Sequence, residues 1–81
     1  MLTVRANGSV RNALGGAESV EVTASTIREL LDRLSDRFPA LVEELDAGIA
    51  VAINGEIYRD DRDVTIPENA EVFLLPRIPG G

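Results

Sequence analysis

The sequence predicts an α+β protein in which one main helix packs on one face of a β-sheet. Two stretches of alternating apolar and polar residues, 2–6 and 20–23, come first and have the period of strands. A stretch with helical spacing follows at 26–38, and further strand-like stretches lie at 49–53 and 71–75. Because one helix covers only one face of a sheet, the other face is expected to stay partly open.

The composition limits the chain to one small domain and excludes several kinds of chemistry. The 81 residues are 44% apolar and include neither Cys nor His. Disulfides, thiolate metal sites, a cysteine nucleophile and the commonest general base are therefore absent. The net charge of −6 argues against nucleic-acid binding. Without a signal-peptide pattern or a run of ~20 apolar residues, we expect a soluble cytoplasmic protein.

The first two predicted strands are joined by a loosely patterned segment. The alternation at 2–6 indicates a half-buried strand, and 20–23 indicates a second one. Residues 8–17 show no clear period, and Gly15 with Gly16 marks a turn within them. The two strands are therefore expected to form a hairpin with a long connection.

The main helix has the clearest local signals. Thr26 and Glu29 have the spacing of a capping box, in which each side chain caps the other's backbone N–H. Glu29 and Arg33 form a favourable i,i+4 pair, and Pro39 either ends the helix or starts a second short turn. The single-sided apolar stripe favours a core-facing helix over a partner-binding one. The stripe consists of Ile27, Leu30, Leu31, Leu34 and Phe38.

The second half of the chain predicts short elements. A short helical turn is expected around Leu41, Val42 and Leu45, closed by Gly48, before a buried strand at 49–53. Asn54 and Gly55 then form the strongest turn signal in the sequence. Ile57 and Tyr58 begin either a short strand or an irregular segment after it.

Three carboxylates follow, at Asp60, Asp61 and Asp63. Clustered carboxylates can bind a divalent cation, but this spacing lacks the glycine and the distal glutamate of a calcium loop. We interpret the cluster as a solvated turn and predict no metal site.

The last strand has two distinct faces. Val72 and Leu74 share one face, and Phe73 and Leu75 share the other, because side chains alternate along a strand. One pair is expected to meet the helix. The other is expected to be exposed, next to the residues that follow Pro76.

Four segments and the two last glycines together match the pattern of a known family. They are 26–31, 38–41, 51–56 and 71–76, followed by Gly80 and Gly81. The chain thereby resembles the ubiquitin-like sulfur carriers of the ThiS/MoaD type. The resemblance spans essentially the whole chain and is closest to the small subunit of molybdopterin synthase. It implies a β-grasp fold, a mixed sheet whose first and last strands pair in parallel in the middle. It also implies a domain at 1–76 and a flexible tail at 77–81.

The resemblance implies a function for the tail. A ubiquitin-activating-like adenylyltransferase would adenylate the carboxylate of Gly81, and a sulfur donor would then convert it to a thiocarboxylate. Gly80 would give the tail a slender approach, since a side chain would obstruct the partner's channel. ATP and Mg²⁺ would belong to the partner and no cofactor would be bound here. The protein would not be catalytic alone.

The resemblance also implies partners. The thiocarboxylate would donate sulfur to the large subunit of molybdopterin synthase or to another acceptor enzyme, and no nucleic acid or membrane would be involved. The expected docking surface consists of Ile57, Phe73, Leu75 and Ile78. A carrier for thiamine or another pathway, a protein modifier conjugated through Gly81, and a binding module with an inert tail remain alternatives.

Overall fold

A five-stranded mixed sheet organises the chain. The computed structural model describes residues 1–59 and 61–76, and all of its helices pack on one face of this sheet. The strands are β1 (Leu2–Ala6), β2 (Val20–Val22), β3 (Ile49–Ile53), β4 (Glu56–Tyr58) and β5 (Glu71–Pro76). The helices are α1 (Gly8–Ala13), α2 (Ile27–Arg37) and α3 (Leu41–Ala47).

The strand order is β2-β1-β5-β3-β4. β1 and β5 pair in parallel at the centre, and every other pair is antiparallel. The predicted parallel pairing of the first and last strands is thereby confirmed, and with it the β-grasp fold class. None of the helices in the described chain is long and apolar enough to cross a membrane.

The core lies between one face of the sheet and the helices. Alternate side chains of the central strands point into it, and Val4 and Leu74 are completely buried. From α2, the first four residues of the predicted stripe are at most 3% exposed, and Phe38 is partly buried. The core-facing interpretation of this helix is therefore confirmed.

The connection between β1 and β2 differs from the sequence prediction. Instead of an irregular segment it contains α1, which begins at the left-handed Gly8 (φ 59°). Val10 and Leu14, four residues apart, are both buried and attach this helical turn to the core. The sequence analysis did not predict this helix, because it is six residues long and contains the weak helix formers Ser9 and Asn12. The predicted turn at Gly15 and Gly16 is present.

The start of α2 matches the predicted capping box in one half. The Thr26 hydroxyl accepts a hydrogen bond from the Glu29 N–H at 3.2 Å. The Glu29 carboxylate accepts from the Ser25 N–H at 3.0 Å, and not from that of Thr26. The reason is the neighbouring segment 64–66. The Val64 carbonyl accepts a hydrogen bond from the Ile27 N–H, and the Ile66 N–H donates one to the Ser25 carbonyl. These two bonds fix the backbone so that the Ser25 N–H is the one presented to the carboxylate.

Replacing the capping threonine should weaken the domain measurably. We expect Thr26→Ala to lower the free energy of unfolding by ~1 kcal/mol, because the Glu29 N–H loses its acceptor. In a domain of this size that corresponds to a fall in Tm of ~4–8 °C. Thr23→Ala is the control, since Thr23 is exposed and caps no helix. Equal melting temperatures for the two variants would contradict the capping role.

The hairpin between β3 and β4 follows the predicted turn. Asn54 (φ 48°) and Gly55 (φ 92°) both have left-handed backbones, as a type I′ turn requires. The Asn54 side chain also accepts a hydrogen bond from the Glu71 N–H at 3.0 Å. This bond joins the hairpin turn to the start of β5 and helps to set the register of β3 against it. Gly48 closes α3, as predicted.

Candidate functional site

The face of the sheet away from the helices carries a row of side chains from four strands. In the strand registers, Phe73 pairs with Arg5 on one side and with Ala52 on the other. Ala52 in turn pairs with Ile57 on the edge strand β4. Since neighbouring strands lie ~4.8 Å apart, these four side chains form one continuous row on the open face.

Burial assigns the two faces of β5. Val72 and Leu74 are 2% and 0% exposed and belong to the core. Phe73 and Leu75 are half-buried and lie on the open face, as expected for an outward-facing pair. Ile57 is 56% exposed, which is unusual for a large apolar side chain in a strand. Three of the four residues predicted to bind a partner are thus accessible on one surface.

Small residues on β3 make the larger side chains stand out. Ala50 pairs with Leu75, and Ala52 pairs with Phe73. Because alanine side chains are small, β3 covers neither the Leu75 nor the Phe73 side chain. We call the surface formed by Ala50, Ala52, Ile57, Phe73 and Leu75 the apolar patch. The sequence analysis did not identify the two alanines as part of the site, because only the register reveals them.

The last described residue of the sheet lies beside the apolar patch. β5 ends at Pro76, which pairs with Ile49 at the start of β3. Gly80, Gly81 and Ile78, and with them the predicted flexible tail at 77–81, lie outside the described residues. The last described residue follows Leu75 directly, so a tail that continues from it starts at the rim of the patch.

Two of the carboxylates after β4 form contacts within the domain. Asp61 accepts a hydrogen bond from the Asp63 N–H at 3.0 Å, and Asp63 pairs with Arg28 at 3.1 Å. Asp60 lies outside the described residues. In the part of the chain that the structure describes, no three carboxylates come together as a metal site.

The edge strand holds one polar contact next to Ile57. The Tyr58 hydroxyl donates a hydrogen bond to Glu56 Oε2 at 2.6 Å. This hydrogen bond raises the pKa of Tyr58, and desolvation and the nearby negative charges of Glu56 and Asp61 act in the same direction. Ile57 lies between the two bonded residues in sequence and points to the opposite face.

The tyrosine titration provides a direct test of this contact. Tyr58 is the single tyrosine of the chain, which has no tryptophan, so its ionisation can be followed by ultraviolet absorbance. We expect a pKa above the ordinary value of about 10, and we expect Glu56→Gln to lower it. Glu44→Gln on α3 is the control and should leave the titration unchanged. An unaltered pKa in the Glu56 variant would refute the contact.

Several solved structures have the same fold over nearly the full chain. A chain of the BexX/CysO complex of Amycolatopsis orientalis is 25% identical, with a TM-score of 0.79 and complete coverage of both chains. Small archaeal modifier protein 1 (SAMP1) of Methanosarcina acetivorans is 23% identical, with a TM-score of 0.80 and coverage of 99% of this chain and 95% of that one.

A third structure is the complex of subunits 1 and 2 of molybdopterin-converting factor from Helicobacter pylori 26695. One of its chains is 24% identical, with a TM-score of 0.69 and coverage of 99% of this chain and 97% of that one. No curated protein sequence matches this chain.

The family assignment comes from the sequence as a whole. The model of the ThiS family matches residues 4–81, which include all described helices and strands except the first two residues of β1, and also the two final glycines. This agrees with the mixed five-stranded sheet and its central parallel pair. The chain belongs to the ThiS family, whose members are ubiquitin-like sulfur carriers and modifiers with a β-grasp fold.

Proposed function

We propose that this protein is a sulfur carrier whose terminal Gly81 carboxylate is converted to a thiocarboxylate. The observation that carries the proposal is the ThiS family match, which extends through the β-grasp domain to Gly81. The apolar patch supports it, because it offers a partner a docking surface next to the start of the tail. The protein is then a cosubstrate, and the catalytic groups, ATP and Mg²⁺ belong to the activating partner.

The chemistry requires two steps at the carbonyl carbon of Gly81. A carboxylate is a poor electrophile, because its charge is delocalised and oxide is a poor leaving group. Its oxygen therefore first attacks the α-phosphorus of ATP, and pyrophosphate leaves. Sulfide delivered by a donor then attacks the carbonyl carbon, the bond to the AMP oxygen breaks, and AMP leaves. The resulting thiocarboxylate is an anionic, soft nucleophile that can transfer its sulfur.

The apolar patch is proposed as the docking surface for the activating enzyme. Ile57, Phe73 and Leu75 are its large members, and we propose that Ile78 extends it along the tail. Apolar anchors of this kind dominate protein interfaces once they are buried in complementary pockets. Docking here would deliver Gly80 and Gly81 into the partner's site, where a short chain without side chains fits a narrow channel.

For the sulfur acceptor we propose the molybdopterin precursor, held by a large subunit of molybdopterin synthase. Support comes from the resemblance of the segments at 51–56 and 71–76 and from the likeness to a chain of molybdopterin-converting factor. A second candidate is a protein modifier that is conjugated through Gly81. It is favoured by the likeness to a small archaeal modifier protein over nearly the whole chain.

Mass spectrometry distinguishes these functions. The purified protein is incubated with a ubiquitin-activating-like adenylyltransferase of its own organism, ATP, Mg²⁺ and sulfide. We expect the intact mass to rise by one exchange of oxygen for sulfur, located on Gly81. In a second mass analysis, of proteins from cells of that organism, isopeptide remnants of Gly80 and Gly81 on lysines would instead support the modifier. An unchanged terminal acid in both experiments would refute both candidates.

A further inference from the structure

Arg5 is the charged neighbour of the apolar patch. It is exposed, and its partner in the parallel register of β1 and β5 is Phe73. Two shallow depressions are lined by both residues together, one on the open face and one at the end of β1 next to α1. Because neighbouring strands are separated by only ~4.8 Å, a protein surface that covers Phe73 also covers Arg5.

Within residues 1–59 and 61–76, Arg5 has no ionic partner. The ion pairs in this part of the chain join Arg28 to Asp63 and Arg33 to Glu29, and both lie away from the open face. Within these described residues the guanidinium of Arg5 is therefore exposed and unpaired, which leaves it available to a partner.

A second arginine adds to the positive charge at this place. Arg11 of α1 lies in the same depression as Arg5, where Glu18 is the single acidic residue. The whole chain has 14 acidic and 8 basic residues. In this depression two arginines outnumber one glutamate on a protein that is acidic overall, whereas the other depression shared by Arg5 and Phe73 contains Glu71.

We propose that the partner seated on Phe73 presents an aspartate or glutamate carboxylate to Arg5, with Arg11 as a second cation beside it. The proposal rests on the proposed function, in which the apolar patch docks on the activating enzyme. Covering a guanidinium with an apolar surface removes its hydration without replacing it, which is strongly unfavourable. A carboxylate restores the lost hydrogen bonds in a bidentate, charge-assisted pair.

Arg5 therefore acts as a specificity-determining residue. A partner that is apolar throughout would leave an unpaired buried charge and bind poorly, whereas a partner with a matching carboxylate would bind well. The charge would also accelerate docking at low ionic strength, because opposite charges steer the encounter of two proteins.

The test compares two charge reversals of equal size. Arg5→Glu is measured against Arg33→Glu, which changes the net charge identically on the exposed side of α2. Binding to the cognate adenylyltransferase is followed by titration calorimetry between about 50 and 500 mM salt, a range over which surface charges become screened. We expect Arg5→Glu to weaken binding at least ~10-fold at low salt and to flatten its salt dependence, and Arg33→Glu to do neither.

The neutral variant Arg5→Gln provides a second measurement of binding if the charge reversal unfolds the domain. It should also weaken binding and reduce the salt dependence. Equal affinities of wild type, Arg5→Gln and Arg5→Glu would overturn the proposal while leaving the carrier function intact, provided that sulfur still reaches Gly81. Absence of adenylation in the wild type would refute both the role of Arg5 and the proposed carrier function. Self-association of the wild type that disappears in Arg5→Glu would assign this surface to a second copy and also overturn the proposal.

Discussion

Deleting Gly81 should abolish sulfur loading without changing the stability of the domain. Adenylation requires the carboxylate to meet the α-phosphorus of ATP at near-contact distance, and small misplacements cost large factors in rate. Removing one residue withdraws the carboxylate by up to ~3.5 Å along an extended chain. The described core ends at Leu74, so the melting temperature should remain that of the wild type.

Extending the chain provides the complementary variant. One alanine added after Gly81 moves the carboxylate outward and places an amide at the reactive position, and we expect this protein to remain unloaded as well. Intact mass after incubation with the adenylyltransferase, ATP and sulfide is the measurement. A Gly81 deletion that gains sulfur at the normal rate would disprove the sulfur-carrier proposal in this form.

Two adjacent leucines should have opposite phenotypes. Leu74 is completely buried in the core, and Leu75 is half-buried on the open face. We expect Leu74→Ala to lower the free energy of unfolding by ~2–5 kcal/mol, because the truncation leaves a cavity. For a domain of this size that is a large share of a total stability of ~5–15 kcal/mol.

Leu75→Ala is the matched substitution on the other face. It should cost little stability but weaken binding to the activating enzyme, and Phe73→Ala should do the same. A loss of ~2 kcal/mol for either, typical of a central apolar anchor, corresponds to a binding constant ~30-fold weaker. Thermal melts and titration calorimetry measure the two effects separately. If Leu75→Ala unfolds the domain and Leu74→Ala impairs only binding, the assignment of the two faces is wrong.

Much of the fold could be predicted because its signals are local. The stripe of α2, its Thr26 cap, the turn at Asn54 and Gly55 and the alternation of β5 each depend on residues close together in sequence. The element order that these signals define leaves few arrangements of a sheet and one main helix. Helix α1 was missed because its signal, Val10 with Leu14, is only one turn long.

The candidate site also has features that the sequence determined and features that only the tertiary structure decided. The sequence by itself determined the family features, the two final glycines and the fact that Phe73 and Leu75 share one face of β5, since these follow from order and strand period. Only the tertiary structure decided which residues surround Phe73. Arg5 and Ala52 lie 68 and 21 positions away in sequence and reach it through the parallel and antiparallel registers of β5. Register depends on packing across the whole sheet, and a shift of one residue would turn these side chains to the other face.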